Sequence, residues 1–302
     1  MTSQRQGAVL GHPIGHSKSP ALHNAAYQLL GADFSYRAID VEESGMADLL
    51  AQVRAEGNWY GLSVTMPLKN VAVELVDELS DVARTLGAVN TIIATTDDAG
   101  ATFLRGDNTD VAGIVNALRH AGVGERPRAA ILGGGGTAVS ALAALVDLEA
   151  TDIVVFVRNP VKAAGTLEVA AALAAPARLE SFAGTARDLG GFDVVISTLP
   201  PRAADGLAAE FLATGDSPAG VLLDVAYDPW PSALAQAWES RGGTVVAGIE
   251  MLLYQGVEQV KLFAEAGGYG TIATDTQGDV INVMCDAIGV HRRNPHDENM
   301  AG

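Results

Sequence analysis

The sequence predicts an α/β protein of two domains, and three observations carry that prediction. Short apolar runs alternate with segments of helical period along nearly the whole chain, the pattern of strands crossed over by helices. At 302 residues, with 48% hydrophobic and 18% charged residues, the chain is long enough and apolar enough to bury two cores. A charged, proline-containing stretch, Gly124–Arg128 (GERPR), separates two such series.

In the first series, Ala8–Leu10, Phe34–Ile39, Leu62–Val64 and Val89–Ala94 read as strands because each is a short apolar or β-branched run between turn signals. Ser19 is placed to cap a helix that Pro20 opens and Gly31 ends, since proline suits a first helical position and glycine the residue after a last one. Pro67 is expected to open a second helix running toward Leu79, and a third runs from near Asp110 to Gly122. Behind GERPR the expected strands are Ala129–Leu132, Ile153–Val157, Val194–Ser197, Val221–Val225 and Val245–Ala247. Helices are expected over Glu250–Glu265 and Thr276–Ile288, followed by a polar tail (HRRNPHDENMAG) expected to be disordered.

Composition excludes several classes of function. The 19 basic and 36 acidic residues leave a formal charge of −17, which argues against a nucleic-acid or anionic-membrane binder. Only four lysines are present, Lys18, Lys69, Lys162 and Lys261, against 15 arginines. Cys285 is the single cysteine, so the chain forms no internal disulfide or cysteine-based metal site, and a reducing, cytoplasmic setting is expected. The first residues do not resemble a signal peptide. The uncharged run from Ala129 to Val146 is interrupted by four glycines and reads as strand, turn and helix rather than as a membrane span.

That turn carries chemistry. Gly133-Gly134-Gly135-Gly136-Thr137-Ala138 fits G-x-G-x-x-A between a strand and a helix, where glycines let the backbone approach a pyrophosphate and the helix end supplies amide donors. It marks the second domain as a Rossmann-like dinucleotide-binding domain. The next strand ends in Arg158-Asn159, with Lys162 one turn further, where an NAD-preferring turn would carry Asp or Glu. Two cations there suit a 2′-phosphate and favour NADP over NAD. The competing reading is two solvated charges at a helix start, which sit badly with the helix dipole unless an anion arrives.

A second polar constellation lies at the N-terminus, Gly11-His12-Pro13-Ile14-Gly15-His16-Ser17-Lys18-Ser19-Pro20-Ala21-Leu22-His23-Asn24. Ser17 and Ser19 could donate to a carboxylate at a helix end, although alone they read as a loop residue and a cap. His12, His16 and His23 have no usual zinc spacing, so no metal is assigned. The run Gly61-Leu-Ser63-Val-Thr65-Met-Pro-Leu-Lys69 puts a lysine in the expected first turn of a helix, where the dipole disfavours the ammonium form that an acid/base lysine must be able to lose. Gly87-Ala-Val-Asn90-Thr91 and Gly106-Asp-Asn-Thr-Asp110 follow.

Read together, these segments resemble the shikimate dehydrogenase family, which carries S-x-S-P-x-x-H-N, N-V-T-x-P-x-K, G-A-V-N-T and G-x-N-T-D in this order. Asp224-Val-Ala-Tyr227-Asp-Pro229 resembles its D-x-x-Y-x-P, and Gly248-Ile-Glu-Met251-Leu252-Leu-Tyr-Gln255 its G-x-x-M-L-x-x-Q. The resemblance extends from Gly11 to about Ile288. It implies two α/β domains with a cleft between them, a substrate domain of 1–109 plus 249–302 and an NADP domain of 110–248. It also implies NADPH-dependent, reversible reduction of 3-dehydroshikimate to shikimate on the route to chorismate and the aromatic amino acids, by a monomer or homodimer.

The same resemblance assigns roles. Ser17, Ser19 and Tyr227 would bind the substrate carboxylate, and Thr65, Asn90, Asp110 and Gln255 the ring hydroxyls. Lys69 beside Asp110 would be the acid/base pair. Thr198, at the end of a strand, and Gly248 and Met251 would border the nicotinamide half. Three departures stand out: Ser63 where many members have Asn, Arg158-Asn159-Pro160 in place of N-R-T, and Ser232 in place of Thr. The rivals are an NAD-dependent quinate/shikimate dehydrogenase and a non-catalytic nicotinamide-binding sensor.

Overall fold

The computed structural model describes residues 4–161 and 163–293. Lys162 and residues 294–302, which include most of the expected disordered tail, lie outside the described residues. Backbone packing divides the chain into two units: residues up to Thr109 together with those from Leu253 onward, and Asp110–Leu252. The second junction falls inside the Gly248–Ala266 helix.

The first unit is built on six strands: β1 (Arg5–Gly11), β2 (Phe34–Asp40), β3 (Trp59–Val64), β4 (Glu78–Leu79), β5 (Thr91–Thr96) and β6 (Thr102–Asp107). Their order is β2-β1-β3-β5-β6-β4, with β5 antiparallel to both its neighbours and the other pairs parallel. The sheet is therefore mixed, because the expected all-crossover pattern is broken by a hairpin between β5 and β6. Asp97 closes that hairpin by accepting from the amides of Ala99 and Ala101.

The two faces of this sheet bury different residues. Leu62 and Val64 of β3 join Leu10 and the Met46–Glu56 helix, through Met46, Leu50 and Val53, in one apolar core. Gly61 and Ser63, at alternate positions, face the other way. A Cβ on Gly61 would lie 2.3 Å from the Phe263 ring, so the absent side chain is what lets the Gly248–Ala266 helix settle on β3. Tyr27, Phe34, Tyr60 and Phe263 pack edge-on, stacked or tilted around that contact.

Two expected helix starts are corrected. The first helix spans Ser19–Leu30 and its cap residue is Lys18, not Ser19, because the Lys18 carbonyl already accepts from Leu22. Ser17 supplies the side-chain oxygen instead, accepting from the Ser19 amide at 3.3 Å. The long helix expected from Pro67 is a turn followed by a five-residue helix, Val71–Leu75, which stops where Val76 becomes extended. Lys69 thus precedes a very short helix, and the dipole argument made for it loses most of its force.

The second unit carries six parallel strands: β7 (Arg128–Leu132), β8 (Asp152–Val157), β9 (Ala177–Ser181), β10 (Val194–Ser197), β11 (Val221–Asp224) and β12 (Thr244–Ala247). Their order, β12-β11-β10-β7-β8-β9, is the doubly wound order of dinucleotide-binding folds, with the reversal between β7 and β10. β9, absent from the sequence reading, is a partly exposed edge strand whose five residues include Arg178, Glu180 and Ser181. Among the described residues no helix is long and apolar enough to cross a membrane.

Candidate active site

In the first unit the functional loops gather at the carboxyl ends of β1 and β3, which are parallel neighbours. The Thr65 amide donates to the Leu10 carbonyl at 2.9 Å and the His12 amide to the Met66 carbonyl at 3.1 Å, tying the two loops side by side. Gly11 makes this approach possible, since a Cβ there would sit 2.5 Å from the Thr65 methyl. His12 and the Ile14 amide both bond Asp40, at 2.7 and 3.1 Å, and fix the loop that leads to Ser17 and Ser19. Bonding to Asp40 raises the His12 pKa above its ordinary value.

The backbone at Lys69 is anchored the same way. Its carbonyl accepts from the Val89 amide at 2.9 Å, and the Val64 amide donates to the Asn90 carbonyl at 2.7 Å. Thr65, Lys69 and Asn90 therefore belong to one end of the sheet. Asn90 is buried and heavily bonded. Its Oδ1 accepts from the Thr91 hydroxyl at 2.7 Å and the Thr109 amide at 2.8 Å, while its Nδ2 donates to Thr109 Oγ1 at 3.0 Å and Gln255 Oε1 at 3.3 Å. Thr91, Thr109 and the neighbouring Gln259 were not singled out in the sequence. Thr91 and Thr109 stand inside the G-A-V-N-T and G-x-N-T-D motifs without a role of their own, and Gln259 stands four residues after Gln255 on the same helical face.

His23 is not a metal ligand candidate. It is fully buried, stacked on Tyr36 with ring centroids 4.0 Å apart, and bonded to Tyr27 and Gln259. Burial pushes its pKa down to about 3, so the ring is neutral near pH 7. Among the described residues no group of three or more His, Cys, Asp or Glu side chains is disposed to hold a metal ion.

In the second unit the glycine turn occupies the reversal between β7 and β10. Three positions of the motif have separate physical roles. Gly133 has φ +115°, in the region that favours glycine, and a Cβ on it would meet Thr198 Oγ1 at 2.5 Å. Gly135 caps the Gly136–Asp147 helix without any side-chain bond, and a Cβ on it would meet nothing within 4 Å. Ala138 is fully buried against the sheet. An open cradle at a helix N-terminus with no acid in its first turn fits a pyrophosphate.

The remaining positions of this unit divide. Arg158 is exposed directly after β8, and among the described residues it has no hydrogen-bond or ion-pair partner, which suits a cation awaiting a phosphate. Asn159 is exposed beside it. Thr198 spends its hydroxyl on the Leu132 carbonyl at 2.9 Å and so fastens the end of β10 to the start of the glycine turn. Gly248 is sterically required, since a Cβ there would lie 2.1 Å from the Val225 carbonyl oxygen. Met251 is buried, as is Asp110, the first residue of the Asp110–His120 helix.

Tyr227 follows β11 in a loop braced by Asp224. That carboxylate accepts from Ser232 at 2.5 Å and from the Ala226 amide at 3.3 Å, and Ser232 in turn caps the Ala233–Ser240 helix. Serine thus performs the cap at the position where threonine was expected. Burial raises the Asp224 pKa, which these hydrogen bonds oppose.

Comparison with known proteins gives consistent results. A family model described as the shikimate dehydrogenase substrate binding domain matches residues 9–92. The shikimate dehydrogenase (NADP(+)) of Rubrobacter xylanophilus is 37% identical over 256 residues, covering 83% of this chain and 87% of that protein. The crystal structure of Mycobacterium tuberculosis shikimate dehydrogenase is 35% identical and covers 94% of this chain and 99% of its own, with a TM-score of 0.79. The Thermus thermophilus enzyme, solved in complex with NADP(H) and shikimate, is 27% identical over 94% of this chain and 99% of its own, with a TM-score of 0.73.

Proposed function

The chain belongs to the shikimate dehydrogenase family, and from that premise we propose that it catalyses the reversible, NADPH-dependent reduction of 3-dehydroshikimate to shikimate. The observation that carries the cofactor half is the pairing of an open Gly135 helix end, which has no side-chain cap, with an Arg158 that has no partner among the described residues at the end of the next strand. Arg158 and Lys162 would meet the 2′-phosphate, and Gly133–Ala138 the pyrophosphate. Thr198, Gly248 and Met251 shape the nicotinamide end.

Bound NADPH supplies the hydride; the proton comes from the protein. Lys69, whose carbonyl accepts from the Val89 amide, delivers that proton to the carbonyl oxygen of the substrate ring, with Asp110 as the second member of the acid/base pair. Ser17 and Ser19 donate to the substrate carboxylate, joined by the Tyr227 hydroxyl. Thr65, Asn90, Asp110 and Gln255 bond the ring hydroxyls and fix which face accepts the hydride. The lone, buried cysteine supports a cytoplasmic setting for this chemistry.

The test is product identification. Incubation with 3-dehydroshikimate and NADPH should consume both and yield shikimate by chromatography. Intact 3-dehydroshikimate after prolonged incubation with excess NADPH would overturn the proposal.

A further inference from the structure

Behind Asn90 lies a line of buried hydrogen bonds with a single consistent proton direction. The Tyr36 hydroxyl donates to Ser63 Oγ at 2.5 Å, and Ser63 donates to Gln259 Oε1 at 2.6 Å. Gln259 Nε2 donates to Thr91 Oγ1 at 2.9 Å and to the Asn90 carbonyl at 3.2 Å. Thr91 has then one hydroxyl proton left, which it gives to Asn90 Oδ1 at 2.7 Å. His23 Nε2, 3.3 Å from Gln259 Oε1, is the remaining donor to that oxygen, since its Nδ1 faces the Tyr27 hydroxyl.

The consequence falls on one amide. An asparagine can present either its oxygen or its nitrogen in a given direction, and little in its shape distinguishes the two. Here Gln259 donates to Thr91 Oγ1, so the Thr91 proton is directed away from Gln259 and onto Asn90 Oδ1, which also accepts from the Thr109 amide. With Oδ1 saturated by Thr91 and the Thr109 amide, Nδ2 must be the end that points toward Gln255. Gln259 is 1% exposed and fixed by four partners, so it has no alternative arrangement.

We propose that Gln259 is a positioning residue: bonded directly to the Asn90 carbonyl and, through Thr91, to Asn90 Oδ1, it holds Asn90 in the place from which that residue meets the substrate. The placement has a simple origin in the helix. Gln255, Gln259 and Phe263 follow one another at four-residue spacing, and Phe263 sits against Gly61 while Gln259 meets Ser63, two residues along β3. The proposal rests on the reading of Asn90 as a substrate ligand.

Steady-state kinetics of the full chain test it. Gln259→Met keeps the buried volume and removes every polar atom of the side chain. Its KM for shikimate should rise about tenfold, the cost of one lost buried hydrogen bond behind Asn90, while KM for NADP+ stays within about twofold. Thr91→Val interrupts the same line one bond later and should give the same selective rise, which decides the matter if Gln259→Met does not fold. In Gln259→Ala, adding Ser63→Asn returns an amide from the strand side into the space vacated, and should restore most of the lost affinity. Unchanged KM for shikimate, or equal rises in both KM values, would overturn the proposal. Wild-type chain inactive on shikimate would instead overturn the functional reading, and this proposal with it.

Discussion

Thr198 and Arg158 both follow strands of the nucleotide-binding unit, yet only one has its polar groups committed within the protein. Thr198 is bonded to Leu132, whereas Arg158 stands exposed with no partner among the described residues. Arg158→Ala should therefore raise KM for NADPH by about tenfold or more, the value of a charge-assisted bond to phosphate, and leave KM for NADH nearly unchanged. Lys69 is the other decisive residue. Lys69→Ala should lower kcat by about 10²–10⁴-fold, the usual loss of a general acid, with KM for NADP+ little changed. Both assignments were made from the sequence, where neighbours within about ten positions suggest the chemistry. The Ser63–Gln259 bond was not legible there, because its partners are 196 residues apart and meet only when a helix crosses a strand. The departure at Ser63 leaves no bond unmade, since Gln259 takes up the hydroxyl.

Elements were readable where a single local rule decided them. The parallel strands of the second unit are buried runs such as Val194–Ser197, and Gly31 and Gly122 end helices with positive φ as their positions suggested. The turn-forming Pro67 misled, because the helix begins only at Val71 and stops at Leu75, where β-branched Val76 is extended and Asp77 is drawn off to bond the Leu104 amide and Arg54. β6 was missed because its Phe103 and Arg105 are exposed, leaving too few apolar residues for a recognisable run. Two predictions belong here. Gly133→Ala places a side chain at φ +115° against Thr198 and should cost about 1–3 kcal/mol in urea unfolding while weakening NADP+ binding. On the Ser19–Leu30 helix, His23 keeps a pKa of about 3 against 6.5 when unfolded. Between those values the unfolded chain binds a proton that the native chain refuses, so stability falls as pH drops below 6.5, by about 1.4 kcal/mol per pH unit from this residue. Urea midpoints at pH 7 and pH 5 should show a smaller difference in His23→Gln.

At the scale of the whole molecule, the charge of −17 contrasts with two anionic ligands. Binding must rest on local donors: helix ends, hydroxyls and a few cations set in an acidic surface. Ligand-linked stability follows, and NADP+ at about 100 times its Kd should add about 2.7 kcal/mol to the unit that holds it, visible as a thermal shift that NAD+ at the same concentration does not match. GERPR separates two strand–helix series, but the backbone divides earlier, between Thr109 and Asp110, and the return of the chain through the Gly248–Ala266 helix came only from family resemblance. The central claim joins one substrate to one cofactor. Initial rates with shikimate or quinate, each with NADP+ or NAD+, test it most directly. With shikimate, NADP+ should exceed NAD+ by at least about tenfold in kcat/KM, the margin expected of one ion pair to the 2′-phosphate, and shikimate should be turned over faster than quinate. Faster turnover with NAD+, or with quinate, would contradict it.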